Sequence, residues 1–399
     1  MIKETPFHPR TSTANQTGLW SHWAGYLATD RYQLSDKFEY FAIRNSAAVI
    51  DTSPLYKYRI YGVDAEKYLA RVLTRDIRKC RPGQAQYTAW SDGDGWVIED
   101  GVILRLSDDE FLLTAAKPNL AYLQGLTAGE QVQIEDVSED YGALALQGPY
   151  SKEILKQLAP EAEGIGYFHL TPAKIGNAAV TVSRTGYTGD LGYEIWVGAD
   201  DAIGLWDRLF EVAAPYGVIP VGQTALLISR IEAGLILIDV DFHSARYAWN
   251  DDQRATALEL NMGWMLRDLQ EDDRAFIGRR AIEREIEEKS SRWKTVGVMA
   301  DWEDWARTHD ERGLITPKDH TPQHGGMMLY DENIERIGYV PSFVYSPVMQ
   351  RHIGIARLRP EHAEVGTRIG LEVTIDHRYE VVDARVTRLP FYNPPRKTA

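Results

Sequence analysis

The sequence has a single cysteine, Cys80, among 399 residues, which excludes an internal disulfide and a cysteine-rich metal site. No histidine partner for it can be named, so it is not read as a nucleophile. No run of about 18 apolar residues occurs, so no membrane-spanning helix is expected. The opening MIKETPFHPRTSTANQTGLW lacks the apolar stretch of a secretory leader, and a cytoplasmic protein is expected. Positive charge is in deficit: 44 Lys and Arg stand against 58 Asp and Glu, for a formal charge of −14. Phosphate and anionic lipid are bound mainly through Lys and Arg, so neither nucleic acid nor a membrane is an expected partner. Gly93, Gly95 and Gly101 make no dinucleotide fingerprint and no Walker pattern is present, which argues against nucleotide-phosphate chemistry. The histidines are scattered. His320 and His324 are the nearest pair, lack a third local ligand and read as surface side chains, so no metal site is expected.

Apolar residues form 44% of the chain and charged residues 26%, an ordinary globular balance with no disorder-like stretch. The length suits two or three domains, since domains usually hold ~100–200 residues. YKYRIYG alternates as a strand does and leads to a helix for which Asp64 is the expected N-cap. QAQYTAWSDGDGWVIEDGVILRLSDDEFLLTAA reads as three strands joined by polar turns. KIGNAAVTVSRTGYTGDLGYEIWVGAD reads as a hairpin with its turn near Gly189. DDAIGLWDRLFEVAAPYG reads as a helix stopped by Gly217, and TALLISRIEAG as a buried helix. Strands and helices mix without regular βαβ alternation, so the fold class is α+β. The charged helical run RRAIEREIEEKSSR, from Arg279, is the best boundary. Residues 1–285 are expected to form the core, as two intertwined α+β domains, and residues 286–399 a small C-terminal β-barrel built from short strands beginning with KTVGVMA.

The candidate chemistry lies in acidic residues set inside apolar strands. In WVIEDGVILRL at least one of Glu99 and Asp100 must face inward by the period of a strand, and an inward carboxylate is costly without a hydrogen-bond donor. A turn aspartate that caps backbone amides is the competing reading of Asp100. In LGYEIWV, Tyr193, Ile195 and Val197 share one face, and Glu194 shares the other with Trp196. Beside Trp196 and Tyr187, Glu194 suits a planar, nitrogen-rich ring, because a carboxylate accepts paired N–H donors while aromatics supply stacking surface. A solvated strand face is the alternative. Arg230 and Glu232 in SRIEAG read either as internal ion pairs with other partners or as a ligand wall.

SRTGYTGDLGYEIWV resembles the "S-R-T-G-Y-T-G-E-x-G-[FY]-E" signature of the aminomethyltransferase family, the T-protein of the glycine cleavage system. Other segments are similar to family motifs in the same order over nearly the whole chain: GVDAEKYL, QYTAWSDGDGWVIEDG, LALQGP, SRIEAG, FIGRRAI and PVMQRHIGIARL. The resemblance implies a three-domain cloverleaf with a C-terminal β-barrel and tetrahydrofolate in a central hole. It also implies that Asp100 is the catalytic aspartate near folate N5, that Glu194 holds the pterin, and that Tyr87 and Tyr187 line the pocket. Arg230 falls in the family's "LRLEAG" motif and is expected to contact the cofactor.

Departures from the pattern bear on the donor. Leu226 and Leu227 stand where the family has Arg-Asp, and Ala115, to within one residue, stands where it has an asparagine. These losses point toward the folate-dependent demethylases of the family, which move a one-carbon group from a small N-, O- or S-methylated substrate to N5 of tetrahydrofolate. The alternatives are a true T-protein, which would take a lipoyl carrier protein as partner, and a non-catalytic folate-binding protein. The last has a "K-G-C-Y-x-G-Q-E" motif, whereas RAFIGRRAI here has no cysteine.

Overall fold

The computed structural model describes residues 2–399. Three β-structures organise it. The first is a six-stranded sheet in the order Leu170–Ile175, Ala178–Ser183, Gly192–Gly198, Tyr141–Gln147, Ala48–Asp51, Ile219–Pro220. One face buries Val49, Leu144, Val182, Tyr193 and Ile195 against helices Ser151–Leu158 and Ala202–Ala213. The second is a five-stranded sheet in the order Gln84–Ser91, Val97–Arg105, Glu110–Ala115, Tyr56–Tyr61, Gln133–Asp136. Its outer face packs Ile60, Trp90, Phe111 and Leu113 on Tyr68 and Leu69 of helix Ala65–Val72. Each such aliphatic side chain contributes roughly 1.5–3 kcal/mol when fully buried.

The inner faces of the two sheets meet. Ala85, Leu104 and Leu112 of the second sheet contact Ala143 and Trp196 of the first, and the small alanines let them approach. Strand alternation sends Glu194 to this inner side while Tyr193 and Ile195 go to the outer core, as LGYEIWV predicts. The third structure is a closed six-stranded barrel from Lys294–Ala300 to Arg378–Thr387, filled by Val298, Phe343, Leu358, Leu371 and Val382. The α+β class and the C-terminal barrel match the sequence reading.

Helices Asp36–Asn45 and Gln223–Glu232 fill the gap between the first sheet and the barrel. Ile43 and Ile228 pack against Ile50 on one side and Val344, Ile353 and Ile355 on the other. A buried polar cluster locks this junction. Arg44 donates through Nη2 (2.6 Å) and Nε (3.0 Å) to Glu232 Oε2, while Tyr40 and the barrel residue Ser346 each donate to Oε1 at 2.5 Å. Glu232 is therefore an internal partner of Arg44.

Two local expectations differ. Asp64 does precede helix Ala65–Val72, but its carboxylate accepts from the Gln131 amide (2.8 Å) and caps nothing in the helix. Helix Trp302–Asp310 was not expected. Its DWEDWARTHD is dominated by charge, and only Trp305, Thr308 and His309 are buried, so the apolar period is too thin to read. Asp301 caps it, accepting from the amides of Glu303 and Asp304 at 3.0 Å. No helix among the described residues is long and apolar enough to cross a membrane.

Candidate functional site

A break in strand register aims Asp100. Val97–Arg105 pairs with Gln84–Ser91 so that Ser91 faces Val97 and Trp90 faces Glu99, with Ile98 left unpaired. One extra residue reverses the alternation beyond it. Ile98 joins the outer core, Glu99 lies opposite the core residue Trp90, and Asp100 lies opposite Ala89 on the inner face. Both acids are thus inside, and each is satisfied differently.

Tyr87 Oη donates to Asp100 Oδ2 at 2.7 Å. Burial pushes the Asp100 carboxyl up to about 6, Asp241 adds to the rise, and the Tyr87 bond opposes it. Burial, then the Asp100 charge, holds the Tyr87 phenol well above its ordinary value. Asp100 Oδ1 makes no hydrogen bond to another side chain or to backbone among the described residues. Glu99 is fully buried and accepts the Asp100 amide (3.1 Å) and the Lys117 amide (3.0 Å). Burial and the neighbouring Asp100 raise its pKa strongly. The Tyr87 ring stacks on Trp264, centroids 6.4 Å apart and planes at 22°.

Tyr187 and Arg230 approach from the first sheet and the Gln223–Glu232 helix. Tyr187 donates its hydroxyl to the Ile236 carbonyl. Burial raises its phenol and Arg230 opposes the rise, with Asp100 and Asp241 also within electrostatic reach. Arg230 is fully buried, and Nη1 donates to Asp241 Oδ2 (2.7 Å) while Nη2 donates to Ser342 Oγ (2.7 Å). Only its Nε is left buried without a partner. Ser342 donates in turn to Asp241 Oδ1 (2.6 Å), so a barrel residue completes the group. Of the two readings of Arg230, the internal ion pair is present.

Glu194 stands a little apart, at the end of a hydrogen-bond relay. Trp196 Nε1 donates to Ser183 Oγ (3.2 Å), Ser183 and Thr185 share a bond of 2.7 Å, and Thr185 donates to Glu194 Oε2. Burial raises the Glu194 pKa and the Thr185 bond opposes it. Its Oε1 accepts no bond among the described residues.

The glycines of this segment serve the protein itself. A Cβ at Gly186 or at Gly192 would sit 2.3 Å from the side-chain amide of Gln147, and one at Gly189 (φ +73°) would sit 2.4 Å from Ala233 Cβ. Gln147 Nε2 donates to the Thr185 carbonyl (3.2 Å) and Oε1 accepts from Thr188 (2.8 Å), which fixes the loop from beneath.

Sequence reasoning missed Asp241, Ser342, Gln147 and Thr185 as parts of this site. Gln147 lay in the quoted LALQGP, whereas Asp241 in ILIDVDF had no local signal beyond an acid among apolar residues. The surface reading holds for His324, which is exposed, and is corrected for His320. His320 is half-buried and bonds Asp36 Oδ1 at 2.7 Å. His324 pairs with Ser342 on the neighbouring strand, and desolvation followed by the nearby Arg230 lowers its pKa.

Carboxylates, tyrosines and one arginine thus gather near the junction of the two sheets and the barrel. Residues 10–267 match the model of the GCVT N-terminal domain, and residues 312–393 that of the glycine cleavage T-protein C-terminal barrel domain. An aminomethyltransferase of Bacillus subtilis is 30% identical over 90% of this chain and 91% of its own length. One of Halalkalibacterium halodurans is 32% identical over 90% of each. The crystal structure of the glycine cleavage system aminomethyltransferase T from Bartonella henselae has the same fold, with a TM-score of 0.82 over 98% of this chain and 99% of its own at 22% identity. The chain belongs to the glycine cleavage T-protein (aminomethyltransferase) family. It is a one-carbon-group transferase that uses tetrahydrofolate.

Proposed function

We propose that this protein transfers a one-carbon group to tetrahydrofolate with Asp100 as its catalytic carboxylate, and that the group arrives as aminomethyl. The observation that carries the first part is the Tyr87–Asp100 pair, a partly buried carboxylate with one oxygen tied and the other free. The names of the curated relatives carry the second.

The side chains suit a reduced folate. Glu194 has a partly buried carboxylate with Oε1 unspent, a partner for the adjacent ring N–H and amino donors of a pterin. Tyr87 and Tyr187 offer ring surface, and Arg230 offers only Nε, since both of its terminal nitrogens are committed. Bound tetrahydrofolate supplies the nitrogen nucleophile, N5.

Asp100 does the rest of the work attributed to the chain. With a pKa of about 6 it is mostly ionised at neutral pH. It stabilises positive charge developing on the donor carbon, or accepts the proton released there through Oδ1. Tyr87 fixes the direction of Oδ1 by holding Oδ2, and Glu99 fixes the backbone at Asp100 by accepting its N–H. Such alignment can supply several kcal/mol of barrier lowering.

One observation favours a second reading, a small N-, O- or S-methylated donor. Leu226 is buried in an apolar cluster with Ile43 and Val344, at a position where the family pattern places a charge. Incubation with tetrahydrofolate and an aminomethylated lipoyl carrier, scored by ammonia release and 5,10-methylene-tetrahydrofolate, tests the first reading. A panel of methylated compounds scored by 5-methyl-tetrahydrofolate tests the second. Ammonia release without 5-methyl product is the expected result, and the reverse would establish the demethylase.

A further inference from the structure

Most arginines buried in this protein are paired with carboxylates, among them Arg44 with Glu232, Arg230 with Asp241, Arg274 with Asp272 and Arg357 with Glu259, whereas Arg184 is held by the backbone oxygens of Ile165, Lys397 and Ala399. Arg75 has neither a carboxylate nor such a set of backbone oxygens. It is half-buried between the core strands and the surface, and no carboxylate among the described residues pairs with it. Its neighbour in sequence, Asp76, is committed to Arg78 at 3.0 Å. Arg75 makes one hydrogen bond, from Nη1 to the Tyr87 carbonyl at 3.2 Å. Its guanidinium lies over the Trp264 ring, 5.0 Å from the centroid. A guanidinium stays charged even when partly desolvated, and an unpaired one retains donors in the fork geometry that matches a carboxylate.

Its place in the molecule gives this meaning. Trp264 stacks on Tyr87, and Tyr87 holds Asp100, so Arg75 is linked to the candidate catalytic carboxylate through two stacked rings. Trp264 remains 39% exposed, so this stack is open to an incoming molecule. An acidic protein of net charge −14 gains nothing in solubility by leaving a cation unpaired beside an acidic site.

We propose that Arg75, on its Trp264 platform, binds the carboxylate of a ligand whose reacting part lies at Asp100. The inference rests on the reading of Asp100 given above. Two molecules could bring that carboxylate: a small one-carbon donor that is itself an acid, or the glutamate end of tetrahydrofolate. The competing role is that of a strut, in which Arg75 only holds Trp264 and the Tyr87 backbone in place.

The test compares the unaltered protein with Arg75→Gln, which keeps a donor for the Tyr87 carbonyl but loses the charge, and with Arg75→Lys, which keeps the charge. Dissociation constants are measured by calorimetry for two pairs of probes. One pair is tetrahydrofolate and its analogue with both glutamate carboxylates converted to amides. The other is N-methylglycine and N-methylglycinamide. In Arg75→Gln the acid member of one pair is expected to bind about 10- to 100-fold more weakly while its amide partner binds as before, with Arg75→Lys recovering part of the loss. The pair that responds names the source of the carboxylate. Equal losses for acid and amide, or no loss in either pair, would overturn the proposal and leave a strut. Failure of the unaltered protein to bind any of the four would overturn the Asp100 reading and this proposal with it.

Discussion

Tyr87 Oη and Asp100 Oδ2 are 2.7 Å apart on neighbouring strands, two residues out of direct register, because the bulge at Ile98 turns Asp100 onto the face that Tyr87 occupies. The bond holds the carboxyl below the value that burial alone would give it, which sets its pKa at about 6. The charge on Asp100 therefore depends on the Tyr87 hydroxyl.

The rate of one-carbon transfer should rise with pH along an acid limb near 6 as Asp100 ionises. Tyr87→Phe removes the bond that favours the ionised form, so the limb should move to higher pH while the rate at its plateau falls less than for a change at Asp100 itself. A pH profile of kcat/KM in both proteins checks this. An unshifted limb would show that the phenol does not set the charge on Asp100.

Glu194→Gln keeps the shape of the side chain but replaces the partly buried carboxylate that Thr185 supports. Hydrogen bonds to a charged acceptor are worth about 1.5–3 kcal/mol, so tetrahydrofolate should bind roughly 10- to 150-fold more weakly. Calorimetric titration is the measurement. Affinity equal to that of the unaltered protein would remove Glu194 from the site.

Arg44→Met leaves Glu232 fully buried at the junction of the core and the barrel with its cation gone. Breaking a buried pair from one side typically costs about 3–5 kcal/mol, so urea unfolding should show a large drop in midpoint. A smaller loss in the double variant Arg44→Met/Glu232→Leu would confirm that the unpaired charge, and not lost packing, carries the cost.

Gly186→Ala places a methyl group 2.3 Å from the Gln147 amide, well inside contact distance. Overpacking of this kind costs about 1–3 kcal/mol and should displace the loop that carries Thr185 and Tyr187. Both thermal stability and tetrahydrofolate affinity should fall. A variant that kept both would mean that Gln147 can move aside freely.

Much of this was legible before the structure. The period-2 pattern of LGYEIWV fixed which residues of that strand face inward, and the short strands after Lys294 announced the barrel. What stayed hidden depended on contacts distant in sequence or on departures from regular geometry. Arg44 and Glu232 are 188 residues apart, and Ser342 meets Arg230 across 112. The bulge that chooses Asp100 over Glu99 is a single unpaired residue in an otherwise ordinary strand, and alternation alone left both acids as candidates. The loop glycines were legible as tight spots, but what they leave room for is the side chain of Gln147.

The central claim, that Asp100 acts on the transferred group, is tested most directly by Asp100→Asn. Single-turnover transfer to tetrahydrofolate should fall by about 10²- to 10⁴-fold while tetrahydrofolate still binds with an affinity close to that of the unaltered protein. Transfer at the unaltered rate would contradict the claim outright.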